Sequence, residues 1–150
     1  MSNSKISESD LVARFSYTGI DRDSAPFYEA LLNRRLVMSY CRDCSSWDSE
    51  HRSMCAKCHS TNVGPREVSG DGSVFLATFL HQGPAAEGVE YDPSHPVVTV
   101  TLDEADDLRF TSGLYGAPPE DVQIGCRVRL DWVMRNGHPV PVFRLAEVAQ

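Results

Sequence analysis

Long apolar stretches are missing from this sequence. No run of about eighteen apolar residues occurs in the 150-residue chain, which argues against a membrane-spanning helix. The N-terminal segment "MSNSKISESD" is polar and lacks the apolar core of a signal peptide. We therefore expect a cytoplasmic protein with no membrane partner. A hydrophobic content of 41% suffices for one compact domain, or for a small module beside a barrel.

Basic residues are scarce in the second part of the chain. From residue 67 onward there are thirteen acidic side chains against five arginines, a net charge of −8, whereas the first 66 residues are nearly neutral. A nucleic-acid surface needs clustered lysine and arginine, so nucleic acid is not an expected partner. The same charge would repel the phosphates of coenzyme A. A phosphate site would need cations of the first part, namely Arg34, Arg35, Arg42, Arg52 or Lys57, or cations of a partner.

The sequence also lacks a nucleophile motif. Four residues are candidates for acid–base chemistry: His81, Asp92, His95 and His138. None of them is paired with a serine, a cysteine or a carboxylate at a spacing typical of catalysis. We therefore expect that the chain is not an enzyme on its own.

Four of the five cysteines form two Cys-x-x-Cys pairs separated by ten residues, in "CRDCSSWDSEHRSMCAKC". In a reducing compartment, cysteines at this spacing are more often metal ligands than disulfides. Zn²⁺ binds four thiolates tetrahedrally, and such a shell leaves no position for water or substrate. The spacing predicts one structural zinc held by Cys41, Cys44, Cys55 and Cys58. Iron in a rubredoxin-like centre is the alternative, because it uses the same ligands.

The remaining metal-binding side chains have simpler interpretations. His51 and His59 lie close to the cysteines in sequence, but four thiolates already complete the shell, so both are expected at the surface. Cys126 lies in "IGCRVRLDW" and is expected to be a small buried apolar residue.

The sequence pattern of residues 1–36 predicts an N-terminal arm followed by an amphipathic helix. The arm, to about Asp21, is expected to be loose, with some order near Phe15 and Tyr17. Asp23 or Ser24 can cap the helix, proline follows in its first turn, and the helix should end near Asn33. Residues 37–68 predict a zinc ribbon with one short strand leading to Cys41 and another at residues 63–68.

Residues 69–150 contain five strand-like runs: "SVFLATFLHQG", "HPVVTVTLDE", "LRFTSGLYG", "CRVRLDWVMRNG" and "PVFRLAEV". The first run is apolar on both faces, with Val74, Leu76, Thr78 and Leu80 on one and Phe75, Ala77 and Phe79 on the other, which predicts a curled sheet with little open surface. "RNGH" predicts a tight hairpin, and "QGPAAEGVEYDPSH" is a long loop that is either mobile or functional. Five short strands favour a closed OB-type barrel, with a sandwich as the alternative. The predicted fold is mainly β (α+β): an N-terminal helix, a four-cysteine zinc ribbon and a C-terminal five-stranded OB-fold barrel.

The order of these elements resembles the DUF35 family of zinc-ribbon and OB-fold proteins associated with acyl-CoA metabolism. The resemblance runs from about Phe27 to Leu145 and depends on the cysteine quartet, "SGDGSV", the Ile124-Gly125 turn and Pro141-Val142-Phe143. Two features depart from the family pattern. The family usually has glycine after the second cysteine and a proline pair before the third, whereas this chain has Ser45 and "HRSM" there.

The resemblance implies an accessory subunit in a hetero-oligomer. Family members associate with thiolase-fold enzymes, including thiolases, acyltransferases and steroid side-chain aldolases, and some with MaoC-type hydratases. The partner would supply the nucleophile, and an acyl-CoA substrate would be shared by the complex. The expected contacts with the partner or with coenzyme A are Phe27, Tyr28, Leu31, Arg34 and Arg35.

Two simpler interpretations stay open beside this one. The two arginines can form a solvated helix end that the helix dipole favours. The whole chain can be a free-standing binding module for acyl-CoA or single-stranded nucleic acid.

Overall fold

The computed structural model describes residues 5–146, in which two helices precede two β-sheets. The helices are α1 (Glu8–Arg14) and α2 (Ala25–Leu32). The strands are β1 (Val37–Cys41), β2 (Trp47–Asp48), β3 (Val63–Glu67), β4 (Gly72–Leu80), β5 (His95–Leu102), β6 (Arg109–Gly113), β7 (Arg127–Arg135) and β8 (His138–Leu145). None of the helices in this described range has the length and apolar character needed to span a bilayer.

Helix α1 corrects the expectation of a loose arm. The hydroxyl of Ser7 accepts a hydrogen bond from the backbone N–H of Asp10 at 3.1 Å and so caps the first turn. Leu11 and Phe15 follow four residues apart on one face, and Phe15 is 0% exposed. Its ring lies 4.9 Å from the ring of Tyr28, so α1 packs against α2 as part of the core.

Helix α2 confirms the sequence prediction. It begins after Ser24, has proline in its first turn and ends before Asn33. The Asp21 carboxylate accepts a hydrogen bond from the Ser24 backbone N–H at 2.7 Å and supports the helix start. Ala30 and Leu31 form its buried face.

The three-stranded sheet of the ribbon has the order β2-β1-β3, with antiparallel pairing throughout. Tyr40 pairs with Trp47 on one side and with Gly64 on the other. The Arg66 guanidinium covers the Tyr40 ring at 4.4 Å. The central strand, β1, therefore reaches Cys41 with neighbours on both edges.

The five-stranded sheet is an OB-type barrel, as predicted. Its strand order is β6-β5-β4-β7-β8. A parallel bridge between Leu114, which follows β6, and Phe143 of β8 brings the two outer strands of this order together. This closure distinguishes a barrel from two packed sheets. The hairpin between β7 and β8 also confirms its prediction, because Asn136 (φ 52°) and Gly137 (φ 79°) both adopt the left-handed conformation of a tight turn.

A β-bulge in β4 overturns the predicted face assignment of this strand. The register against β5 shifts between Val74 and Leu76, so Phe75 is an extra residue. Val74 is buried before the bulge, whereas Leu76 is 51% exposed after it. Strand β4 thus presents an open apolar surface instead of two covered faces. We call it the apolar strip; its members are Phe75, Leu76, Phe79 and Leu80, which are 37–51% exposed.

Candidate metal centre

Two similar turns position the four predicted zinc ligands. In the first, the Ser45 N–H donates to the Cys41 carbonyl at 2.9 Å, and the Cys41 N–H donates to the Ser46 carbonyl at 2.9 Å. In the second, the His59 N–H donates to the Cys55 carbonyl at 3.0 Å. Each turn therefore points its two cysteine sulfurs to one side, as zinc knuckles require.

The sulfurs converge on one point. All four Sγ atoms lie within 4.8 Å of one another, with 3.6 Å between Cys41 and Cys58 and 3.6 Å between Cys44 and Cys55. Zinc–sulfur bonds of 2.3 Å in a tetrahedron place neighbouring sulfurs about 3.8 Å apart. The four thiols are free, and their geometry fits a single Zn²⁺. Because four thiolates fill the coordination shell, the centre is structural.

Hydrogen bonds reach the sulfurs of Cys44 and Cys55. The backbone N–H groups of Lys57 and Cys58 point at the Cys55 sulfur from 3.4 and 3.5 Å. The Ser46 hydroxyl lies 3.0 Å from the Cys44 sulfur, and this contact is the largest of the causes that lower the pKa of the Cys44 thiol to about 6. The hydrogen bond with the Ser60 backbone lowers the pKa of the Cys58 thiol, but the neighbouring sulfurs, Cys44 first, and burial outweigh it and raise this pKa to about 12. Deprotonated sulfur is the form that binds zinc.

Side chains outside the shell connect the two turns. Asp43, in the first turn, accepts hydrogen bonds from Ser60 and, at 3.0 Å, from the Asn62 side-chain amide. These hydrogen bonds, the one from Ser60 most, lower the pKa of the Asp43 carboxyl. The ribbon is also joined to the barrel, since the Lys57 ammonium lies 2.8 Å from the Asp107 carboxylate. The sequence pattern did not reveal these contacts, because they depend on the folded turns.

Left-handed backbone follows the second cysteine of each turn. Ser45 has φ 61° and His59 has φ 62°. This conformation is disfavoured for residues with a side chain by roughly 1–2 kcal/mol and is free of that cost for glycine. Glycine, usual in the family after the second cysteine, is thus the unstrained choice.

Ser45→Gly is therefore expected to stabilise the ribbon by about 1 kcal/mol. Chelator-induced zinc release, followed with a colorimetric zinc indicator, should become slower. Ser49→Gly is the matched control, because Ser49 is exposed in the same ribbon and does not have a positive φ. Equal effects of the two substitutions, or faster release from Ser45→Gly, would contradict the strain at Ser45.

The apolar residues of α2 that were expected to meet a partner have contacts within this chain. Leu31 is 5% exposed. The Phe27 ring lies 4.8 Å from the His51 ring, and the Tyr28 hydroxyl lies 3.3 Å from the Thr18 hydroxyl. His51 is half-buried rather than at the surface, and burial lowers its pKa. Partner contact through these three residues of α2 stays a prediction.

The two arginines after α2 are exposed. Arg34 has φ 54°, and its guanidinium lies 3.9 Å from the Met134 sulfur. Arg35 forms an ion pair with Glu67 at 3.1 Å. Both head groups remain open to solvent, and their contact with a partner or coenzyme A stays a prediction.

The candidate acid–base residues do not form a catalytic group within residues 5–146. His81 lies 2.9 Å from the Pro93 carbonyl in an exposed position. His138, expected in a turn, is instead the first residue of β8 and is 1% exposed, with its Nε2 3.0 Å from the Tyr17 hydroxyl. His95 is buried beside Tyr115 on another face of the barrel.

Cys126 is half-buried, and its sulfur lies 3.7 Å from the Asp121 carbonyl. It lies outside the sulfur cluster of the ribbon.

Fold and site together define a class: a four-thiolate zinc ribbon joined to an OB-fold barrel. Two family models match, the rubredoxin-like zinc ribbon domain of ChsH2 over residues 29–64 and its C-terminal OB-fold domain over residues 65–133. A solved chain of the "Ltp2-ChsH2(DUF35) aldolase" is 31% identical, with a TM-score of 0.74 over 85% of this chain and 98% of that one. This chain therefore belongs to the DUF35 family, among the ChsH2-like proteins.

Two further relatives differ in what they support. A DUF35 protein from Sulfolobus solfataricus is 15% identical with a TM-score of 0.58, covering 90% of this chain and 92% of that one, and shows the fold alone. A probable enoyl-CoA hydratase alpha subunit from Thermomonospora curvata is 31% identical over 85% of this chain. This chain spans 39% of that relative's length.

Proposed function

We propose that this chain is a non-catalytic accessory subunit that binds and stabilises a thiolase-fold enzyme acting on acyl-CoA. The partner supplies the nucleophile, and this chain helps to shape the acyl-CoA entrance. The solved relative carries the name of an Ltp2-ChsH2 assembly with aldolase activity, which supports a hetero-oligomer of this kind. The closed zinc shell supports a structural role for the metal in that assembly.

The apolar strip is the observation that carries this proposal. Clustered apolar side chains at this degree of exposure are typical of protein interfaces. Beyond Val74, whose N–H donates to the Cys126 carbonyl at 2.9 Å, β4 pairs with β5 alone among the described strands. Its free edge offers main-chain donors and acceptors to a partner as well as side chains. We infer that the partner covers this edge.

The charge of the barrel supports shared rather than independent binding of coenzyme A. Two of its arginines are already paired, Arg127 with Asp103 at 2.6 Å and Arg144 with Asp131. The net −8 of residues 67–150 disfavours the phosphates of the cofactor. We infer that the partner provides most of the phosphate-binding cations, with Arg34 and Arg35 as the candidates from this chain.

A second candidate partner is an enoyl-CoA hydratase subunit. The name of the Thermomonospora curvata relative favours it, and that protein is more than twice as long as the segment matched here. The same interface on the apolar strip would serve either partner.

Co-expression with a thiolase-like protein from the same organism tests the proposal. We expect the two chains to elute together in size-exclusion chromatography. The double variant Leu76→Glu/Phe79→Glu should weaken the complex about 100-fold or more, because it would place two unpaired charges in an apolar contact. Zinc content should be unchanged, since both residues lie outside the ribbon.

Val12→Glu is the matched control, because Val12 is 47% exposed on α1, away from the strip. Arg34→Glu with Arg35→Glu tests the predicted contacts after α2 separately. If the unmodified chain elutes alone while still binding acyl-CoA, the accessory role is wrong. Co-elution with an encoded hydratase subunit but not with the thiolase-like protein would favour the second candidate.

A further inference from the structure

The long loop between β4 and β5, residues 81–94, is held by hydrogen bonds between its own residues. At its base, a ring nitrogen of His81 lies 2.9 Å from the Pro93 carbonyl. Across the loop, the Tyr91 hydroxyl donates to the Pro84 carbonyl at 2.8 Å. These contacts hold a segment without helix or strand in one arrangement.

Gly88 brings the loop onto the barrel. It has φ 78°, and a Cβ atom there would lie 2.8 Å from the ring of Tyr115. Glycine is needed both for the left-handed backbone and for this close approach. The loop and the barrel wall line an open cavity of about 220 Å³. Its apolar lining consists of Leu80, Pro84, Val89, Val97, Val140 and Val142.

An imidazole, that of His95, lies in the wall of this cavity. His95 is 7% exposed, and its ring packs edge-on against Tyr115 with 5.3 Å between centroids. Its ring nitrogens are not among the buried unpaired polar atoms of residues 5–146, which are Glu104 Oε2 and Arg109 Nε, so they stay accessible from the cavity. An accessible imidazole in a cavity wall can form a hydrogen bond with a small polar ligand that enters the cavity. Burial, and next the nearby charge of Arg135, lowers the pKa of His95 and so favours the neutral imidazole, which donates from one nitrogen.

Arg135 gives the cavity its charge. Its Nη2 donates to the Tyr115 hydroxyl at 2.6 Å, a neutral acceptor, whereas Arg127 and Arg144 of the barrel face carboxylates. Of the side chains that line the cavity, Arg135 alone bears a formal charge when His95 is neutral. Arg135 is an exposed residue, so its charge lies at the open side of the cavity, where it favours an anion in an otherwise acidic part of the chain.

We propose that this cavity binds a short-chain aliphatic monocarboxylate. The guanidinium of Arg135 and an N–H of His95 hold the carboxylate, and the alkyl chain lies against the valines of the barrel wall. A volume of about 220 Å³ is below that of drug-sized pockets, which limits the ligand to a few carbon atoms. All groups of the site belong to this chain, and Leu80 is the one residue that the site shares with the apolar strip.

Nuclear magnetic resonance titration of the full, zinc-loaded chain with sodium butanoate at constant ionic strength tests the proposal. The amides of Gly88, His95 and Gly113 should shift saturably. Butan-1-ol and butylammonium chloride, which have the same alkyl chain without a carboxylate, should bind about tenfold more weakly or worse. Equal binding of the alcohol would overturn the assignment of a carboxylate site.

Variants locate the site. Arg135→Gln should weaken butanoate binding about tenfold or more and Arg135→Lys by less, because lysine keeps the charge but loses the planar fork. Arg129→Gln is the matched control on the same strand outside the cavity. Val97→Phe should fill the cavity and abolish binding while keeping the charge, and it decides the question if Arg135→Gln does not fold. No saturable shift in the unmodified chain, or unchanged affinity in Val97→Phe, would overturn the proposal.

Discussion

A chain carrying Cys55→Ser is expected to lose its bound zinc and the fold of residues 37–68. Cys55 is buried, and its sulfur lies 3.6 Å from that of Cys44. Its loss would remove one of the four zinc ligands from the buried side of the site. Serine is a poor replacement because its hydroxyl does not ionise near neutral pH. Structural zinc contributes on the order of 10–16 kcal/mol of apparent binding free energy in small modules. Such a loss exceeds anything that the short ribbon strands can replace.

The apolar content of the ribbon explains why the effect should be so large. Strand β2 has two residues, and β3 is exposed over its last three positions. Most of the buried apolar residues lie in α1, α2, β1 and the barrel instead. The turns after β1 therefore depend on the metal rather than on a hydrophobic core.

Elemental analysis and amide spectra measure this prediction. The unmodified chain should contain one zinc, and Cys55→Ser should contain none, with dispersed signals kept for the barrel and lost for the ribbon. Cys126→Ser is the control, because the fifth cysteine is half-buried outside the cluster and should leave the zinc content unchanged. A full equivalent of zinc in Cys55→Ser would contradict the assignment, as would iron, or a well-folded chain without metal, in the unmodified protein.

The metal ligands could be predicted from the sequence because knuckle spacing is a local property. Each pair of cysteines forms its own turn, and the turn geometry follows from four or five consecutive residues. The hydrogen bonds from Ser60 and Asn62 to Asp43 join positions up to nineteen residues apart. No rule based on residue spacing predicts such contacts, so only the folded structure shows them.

The barrel strands could be predicted for a similar reason. In β4, however, the same reasoning located the strand but assigned its faces wrongly. Alternation of apolar residues located all five strands, since one face of each is buried. The same rule failed at Phe75, because one extra residue reverses the facing of every position after it. The exposure of Leu76 in the apolar strip, on which the proposed interface depends, follows from that bulge.

The sequence of α1 contains a helix signal, but the polar composition of the segment hides it. Ser7 followed by Asp10 is a capping pattern, and two large apolar residues four positions apart complete one face. A seven-residue helix has too few turns to stand out from a polar arm. Its stability comes from packing, which is visible only when α2 and β8 are in place.

Phe15→Ala is therefore expected to lower the free energy of unfolding by about 3–5 kcal/mol. The Phe15 ring is fully buried, with its centroid 4.3 Å from the His138 ring and 6.2 Å from the Tyr17 ring. Its removal leaves a cavity between α1, α2 and the start of β8. The hydrogen bond between Tyr17 and His138 should also weaken, because both rings pack against the one that is removed.

Urea denaturation followed by tryptophan fluorescence and circular dichroism measures this loss. Val12→Ala is the matched control on the same helix, since Val12 is 47% exposed and its truncation should change the free energy of unfolding by less than about 0.5 kcal/mol. A loss below about 1 kcal/mol for Phe15→Ala would mean that α1 and the residue that ends it do not belong to the core. A large loss with an unchanged zinc content would show that two separate sources stabilise the molecule: a hydrophobic core that joins α1, α2 and the barrel, and a metal that holds the ribbon between them.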